Sequence, residues 1–236
     1  AGEGAFADAV TPGHLTRATY LRLLLGELLP REVRRVIYLD SDLVVLGDLA
    51  ELLGLAEGAG PLWAVRDFLE PSLGAAPGVR VACGEMGLAP GAPYFNAGVM
   101  VVDRAAWCGM DVAGRVTEYT NRHAGDITHG DQDGLNAVFA GRWSELPPEW
   151  NVQMAAWRRA REAYGGAKIL HFTGVGKPWE AGYRNEWDAG GHFFEALRGS
   201  GWLSGDGLAT FALTRRVPQR AISLAIRAKN WIGGRG

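Results

Sequence analysis

Apolar and polar residues follow one another along the chain in two rhythms, and the switches between them mark out its elements. From Thr11 to Pro30, TPGHLTRATYLRLLLGELLP carries leucines at helical spacing. Thr11 can cap that helix, Pro12 suits its first position and Pro30 follows its end. Four short apolar runs have the length and composition of strands: VIYL (36–39), LWAV (62–65), FNAGVMVV (95–102) and KILHF (168–172). Helical segments lie between them. LAELLGL stands behind Asp48, RAAWCGMDVAGRVTEYTNR behind Asp103, and DQDGLNAVFAG (131–141) has acids at its own start. The Gly-, Ala- and Pro-rich stretch from Pro71 to Pro93 reads as a loop and a candidate flexible lid. Strands alternate with helices, which predicts an α/β fold with a mostly parallel sheet.

The pattern changes near the C-terminus. Past Asp206 there is no acid, while Arg215, Arg216, Arg220, Arg227, Lys229 and Arg235 are interleaved with Val217, Ile222, Leu224, Trp231 and Ile232. Such a segment suits either an anionic membrane surface or a solvated helix packed on the domain. The chain thus divides into a globular domain over 1–190 and a helical, basic tail over 191–236. Composition adds bounds rather than detail. With 236 residues, 47% apolar and 21% charged, the chain reads as one soluble domain, and a net charge of −2 gives no reason to expect nucleic acid. The two cysteines, Cys83 and Cys108, make no disulfide framework and are expected as free thiols, Cys108 buried beside Trp107. No apolar run approaches the roughly 18–20 residues of a membrane span, and AGEGAFADAV is not a secretory leader. A cytoplasmic protein is expected, with the basic tail able to touch the inner face of the membrane.

The chemistry concentrates in VIYLDSDLVV. A buried-type strand ends in two carboxylates, Asp40 and Asp42, at the carboxyl edge where open α/β sheets bind ligands. Two close like charges both stay ionised only beside a cation, and a hard divalent metal shared with a phosphate meets that need. Asp40-Ser41-Asp42-Leu43-Val44 also fits the D-x-D-x-[TV] of dehalogenase-like phosphatases, but Gly130-Asp131 is followed by Leu135 where those enzymes need a second acid.

Five blocks in order carry a more specific likeness: TYLRL (19–23), VIYLDSDLVV, YFNAGVMVVD (94–103), DQDGLNAVF (131–139) and HFTGVGKPW (171–179). Together they resemble family 8 of the retaining glycosyltransferases, which includes bacterial lipopolysaccharide galactosyl- and glucosyltransferases, glycogenin and plant galacturonosyltransferases. The likeness runs from about His14 to Glu180. It implies a GT-A, Rossmann-like nucleotide-diphospho-sugar transferase domain, a UDP-sugar donor and a glycan or glycolipid acceptor. It also implies Mn²⁺, with Mg²⁺ as the alternative, on Asp40, Asp42 and His171. Two carboxylates and an imidazole suit Mn²⁺ better than Mg²⁺. The same likeness puts Gly174 and Lys177 on the diphosphate, Ser41 beside it, and Arg22 on donor sugar and phosphate. Asp67, Asn96 and Gly98 would hold the donor sugar, with Asp131 and Gln132 flanking the reacting carbon.

Each of these positions has a plainer reading: His171 as a core histidine, Arg22 snorkelling from a leucine-rich helix, Asn96 in a structural network, Asp133 as a helix-start acid, Trp179 as packing. Glutamine is a poor nucleophile, so front-face substitution is favoured over a double displacement. Members of the family usually begin with a strand–helix–strand unit that binds the base. The first thirteen residues are too few to hold it, so an N-terminally incomplete domain is expected, with a non-catalytic sugar- or nucleotide-binding remnant as the alternative.

Overall fold

The computed structural model describes residues 6, 9–11, 16–58, 60–174, 176–180, 183, 189–202 and 207. Residues 12–15 of the predicted first helix and tail residues 203–206 and 208–236 lie outside them. The strands are β1 (Arg35–Leu39), β2 (Leu43–Val45), β3 (Leu62–Arg66), β4 (Phe95–Asp103), β5 (Trp143–Glu145), β6 (Val152–Gln153) and β7 (Ile169–His171). The α-helices are α1 (Leu25–Leu28), α2 (Leu49–Leu55), α3 (Pro77–Arg80), α4 (Arg104–Gly109), α5 (Val112–Arg122), α6 (Asp131–Phe139), α7 (Trp157–Tyr164) and α8 (Ala189–Gly199).

Strand β4 organises the main sheet, whose order is β1-β4-β3-β5. It pairs antiparallel with both β1 and β3, while β3 and β5 are parallel. The expected mostly parallel sheet is therefore a mixed one. β1, β3 and β5 do share a direction, but β4 slots between β1 and β3 with the opposite sense. An alternating strand–helix pattern cannot reveal such an insertion. It matters because an antiparallel β4 begins at the edge where β1 and β3 end. A second, three-stranded sheet, β2-β7-β6, pairs β2 antiparallel and β6 parallel to β7.

Side-chain alternation along the strands feeds a core on each face of the main sheet. Leu62, Ala64, Phe95, Met100 and Val102 meet Trp107, Val116, Leu135 and Phe139 of α4–α6 on one side. Trp63, Val65, Val99 and Val101 meet Leu52, Trp150 and Ile169 on the other. Within β4 the alternation slips between Ala97 and Val99, and the ladder with β3 shifts between Ala64 and Arg66. A bulge of this kind re-aims side chains at a sheet edge, and it falls on Asn96 and Gly98.

The helical expectations hold with local revisions. Asp48 and Asp103 do cap α2 and α4, accepting from the backbone N–H of Ala50 and Ala106. The described part of the first helix is a 3₁₀ helix, Arg17–Leu24, running into α1. That winding eclipses i and i+3, so Tyr20 and Leu23 are buried together. The single helix expected over 104–122 is broken at Asp111, which adopts φ 49°, and on α4 Trp107 turns inward while Cys108 is exposed, not buried as expected. Neither cysteine is in a disulfide. The 71–93 stretch is no loose lid. Leu73, Ala76, Val79, Ala82 and Cys83 pack with Tyr94, Tyr119 and Ile127, and Ser72 bridges to Pro93. None of the described helices is long and apolar enough to cross a membrane.

Helix α6 must lie close to α5 to hold its first turn in place, and Gly134 makes that approach. A Cβ there would come within 2.7 Å of Val116 Cγ1. Gly134→Val is expected to lower stability by about 2 kcal/mol or more, since overpacking of a fitted core costs about 1–3 kcal/mol and valine gains little helix propensity over glycine. Urea unfolding of the two proteins measures the loss.

Candidate active site

Four strand termini converge on one cleft of about 490 Å³. Asp40 follows the last residue of β1, Asp67 the last of β3, Asn96 stands at the start of β4, and His171 is the last residue of β7. The antiparallel β4 is what brings its first residues to the edge shared by the other three. Of the twelve side chains or glycines singled out in the sequence, eleven line the cleft: Arg22, Asp40, Ser41, Asp42, Asp67, Asn96, Asp131, Gln132, His171, Gly174 and Lys177. Gly98 lies just beneath it. A Cβ on Gly98 would overlap the His171 ring and stand 2.9 Å from Asp40 Oδ2, so the acid–imidazole cluster needs a bare backbone at this point.

Asp40-Ser41-Asp42 is the joint between the two sheets. Asp40 N donates to Gly98 O in the main sheet, and Asp42 O accepts from Phe172 N in the smaller one, each at 2.8 Å. The turn gathers the two carboxylates around the ring that ends β7. His171 Nε2 lies 3.3 Å from Asp42 Oδ1 and 3.8 Å from Asp40 Oδ2. One donor atom from each of the three residues falls within 4.8 Å of the others. This mixed O,O,N donor set could hold a divalent metal ion. His171 is buried, but as a member of this cluster rather than as a packing residue. Lys177 reaches the same place, donating to Asp42 Oδ2 and Phe172 O at 2.6 Å each. Burial alone would favour the neutral acid at Asp42. The bonds and charge from His171 and Lys177 outweigh it and hold the carboxyl well below the ordinary range.

Arg22 governs the other wall. Its guanidinium is buried, not snorkelling: Nε lies 2.8 Å from Asp131 Oδ2, and NH1 lies 3.2 Å from Asp40 Oδ1 and donates to Ala97 O at 2.8 Å. Tyr38 packs its ring against this guanidinium and donates its hydroxyl to Asp40 Oδ1 at 2.7 Å. Asp131 opens α6 behind Gly130, whose φ of 57° and ψ of −125° only glycine adopts readily. Full burial pushes the Asp131 carboxyl up to about 6, even against the opposing pull of Arg22, with Asp40 adding to the rise.

Gln132 is fixed at both ends. Its oxygen accepts from Ala97 N at 2.9 Å, and its nitrogen reaches the Tyr94 hydroxyl at 3.2 Å and Asp67 Oδ2 at 3.4 Å. Asn96 donates to Asp67 and accepts from Gly98 N and Asn151. It is thus both a cleft residue and a member of a structural network. Asp133 is more than a helix-start acid. It is fully buried, accepts from Tyr94 and anchors the preceding loop through the N–H groups of Thr128 and His129.

Several residues in or beneath the cleft carry no sequence signal of their own. Asn151 supports His171 Nδ1 from a distance of 2.9 Å. Thr19 lies one 3₁₀ turn before Arg22, and Gln153, Ala155 and Thr173 also line the cleft. His129 pairs at 2.9 Å with Glu70 across the cleft wall. Trp179, half exposed, stands at the mouth. His14, where the family likeness begins, lies outside the described residues.

The mixed sheet, with an acid–x–acid turn at its edge and an imidazole from the smaller sheet beside it, belongs to a fold of the GT-A class of glycosyltransferases. The galactosyltransferase LgtC, solved in complex with donor and acceptor sugar analogs, matches with a TM-score of 0.70 at 26% identity over 87% of this chain and 76% of that one. The chain belongs to glycosyl transferase family 8, whose family model matches residues 5–182. General stress protein A of Bacillus subtilis is 30% identical over 77% of the chain and 67% of its own length. The lipopolysaccharide glucosyltransferase WaaO of Escherichia coli is 26% identical over 79% of the chain and 56% of its own length. Of the probable glycosyl transferase Gly of Streptococcus gordonii, 29% identical, the match spans 24%.

The elevated Asp131 carboxyl makes a pH prediction for protein kept in chelator. Ionisation is harder in the fold, at about 6, than at the ordinary 3.8 of an unfolded chain. The stability this group contributes is therefore present below the lower value and lost as pH rises through the higher one. Relative to Asp131→Asn, the unfolding free energy of the parent is expected to decline by roughly 2–3 kcal/mol between about pH 3 and about pH 7. Paired urea titrations across that range measure it, and a pH-independent difference would contradict it.

Proposed function

We propose that this glycosyltransferase is a metal-dependent retaining hexosyltransferase that moves a hexose from a UDP-sugar to a glycan or lipopolysaccharide-type acceptor. The observation that carries this reading is the convergence of Asp40, Asp42 and His171 within one donor-atom cluster, next to a lysine and a buried arginine. A diphosphate needs such a concentration of positive charge, and the acids alone would repel it. Mn²⁺, or Mg²⁺ in its place, would be held by the two carboxylates and His171 Nε2, and when bound would screen the negative charge of the diphosphate as it leaves.

The remaining work falls to the chain. Lys177 is placed to neutralise the phosphate oxygen that departs with the nucleotide, and Gly174 and Ser41 border the same space. Asp67 and Asn96 offer acceptors and a donor for sugar hydroxyls, with Arg22 holding Asp131 beside them. Gln132 is a neutral amide already fixed by Ala97 N, and this favours a front-face course over a covalent sugar intermediate. The bond from the anomeric carbon to the phosphate oxygen breaks as the acceptor hydroxyl bonds to that carbon on the same face. The hydroxyl proton passes to the departing phosphate oxygen. In this reading the enzyme acts in the cytoplasm, with the basic segment 215–235 touching the inner face of the membrane where a glycolipid acceptor would be built.

Release of UDP from a set of UDP-hexoses, with and without acceptor glycans, tests the reading. Chelation is expected to abolish turnover and added Mn²⁺ to restore it. Asp42→Ala and Lys177→Met are each expected to lower kcat/KM by about 10²–10³-fold, the scale of losing one charge-stabilising group. Turnover that persists in excess chelator would refute it, as would variants that match the parent.

A further inference from the structure

Beneath the cleft, its two halves are joined by a buried line of hydrogen bonds running Asp67–Asn96–Asn151–His171. Asn96 Nδ2 donates to Asp67 Oδ2 at 3.1 Å, Asn151 Nδ2 donates to Asn96 Oδ1 at 3.0 Å, and Asn151 Oδ1 stands 2.9 Å from His171 Nδ1. All four residues are buried, Asn151 with 0% exposure. Mispolarised or unpaired groups at such depth are costly.

The direction of every bond follows from the far end. An ionised carboxylate only accepts, so Asn96 must turn its NH₂ toward Asp67. Its oxygen then accepts from Asn151 and also from Gly98 N at 3.1 Å, a backbone donor that has no other polarity. The Asn151 NH₂ is thereby committed to Asn96, and its oxygen faces the imidazole. Two acceptors cannot bond to one another, so Nδ1 must carry the hydrogen. In the imidazolium Nε2 carries a second hydrogen and faces Asp42 with it; in the neutral ring, the form that ligates a metal, Nε2 is bare and is the atom turned toward Asp40 and Asp42.

We propose that Asn151 and Asn96 are positioning residues forming a polarised relay, through which the sugar-side carboxylate of Asp67 fixes the metal-ligating tautomer of His171. The relay rests on the metal reading of the site and adds to it a coupling between the two subsites. Asp67→Asn is the telling variant. Asp67 Oδ1 accepts from the N–H groups of Leu69 and Glu70. An asparagine keeping those bonds would present its NH₂ to that of Asn96, and Asn96 cannot flip without opposing Gly98 N.

The experiment measures Mn²⁺ affinity by electron paramagnetic resonance without any nucleotide, together with the His171 tautomer by ¹⁵N NMR in chelator at mildly alkaline pH. Asp67→Asn and Asn151→Leu are expected to weaken Mn²⁺ binding by about 10–100-fold and to erode the Nδ1–H tautomer. His129→Gln, a cleft-wall change off the line, is expected to leave both nearly unchanged. Circular dichroism and thermal melts establish that each variant is folded. An Nε2–H tautomer in the parent would overturn the proposal, as would folded Asp67→Asn and Asn151→Leu proteins with the parent's affinity. A parent that shows Nδ1–H but takes up no Mn²⁺ would uphold the relay and refute the metal reading.

Discussion

Everything at this sheet edge depends on how a fold tolerates so many carboxylates in so little space. Asp40, Asp42, Asp67 and Asp131 all line one cleft, and unscreened they would drive one another toward the neutral form. The fold answers with Arg22, buried at the junction and touching Asp131 and Asp40 at once. Because its planar fork also donates to the Ala97 carbonyl, it fixes the acids in position as well as in charge. A lysine would supply the charge without that fork. The 3₁₀ winding of Arg17–Leu24 serves the same end, because a spacing of three keeps Tyr20 and Leu23 in the core while Thr19 and Arg22 face the cleft.

The support beneath the cleft is polar as well as apolar. Tyr94, Asn96, Asp133, Asn136 and Asn151 are all buried, and each has named hydrogen-bond partners. A satisfied polar network of this kind is more demanding of geometry than an apolar core, since each member constrains the orientation of the next. Here the network radiates from the β4 bulge. Phe95 N and O are held by Asn136, Ala97 N by Gln132, and Gly98 N by Asn96. Backbone groups that a bulge removes from the ladder are thus repaired by side chains, and two of these, Asn96 and Gln132, also line the cleft.

Much of this was legible in the sequence because its signals are local. The strand-ending acids after VIYL, the capping aspartates at 48 and 103, and the acids that open α6 each announce themselves within a few residues. What escaped notice depends on distant pairing. The direction of β4 is decided by which neighbours it meets, and nothing in FNAGVMVV states that. β2, β5 and β6 have two or three residues each, too few for a period to register. Asn151 looks like any loop asparagine until His171 is laid beside it. Cys108 is exposed although its neighbour Trp107 is buried, because on a short amphipathic helix adjacent residues face different ways. The 71–93 stretch misled through its composition, since glycine and proline there accompany small side chains that pack.

The cleft straddles two sheets, and this has a dynamic side. Asp40 is tied to one sheet and Asp42 to the other, with a single serine between them. His171 belongs to the smaller sheet, whose three strands have only two or three residues each. Ladders of two or three residues have fewer hydrogen bonds holding them closed than the nine-residue β4. Amide exchange should therefore find β2 and β7 fluctuating as a unit while β4 stays closed. Each such opening would scatter the donor cluster, making ion retention a gauge of local breathing rather than of global unfolding.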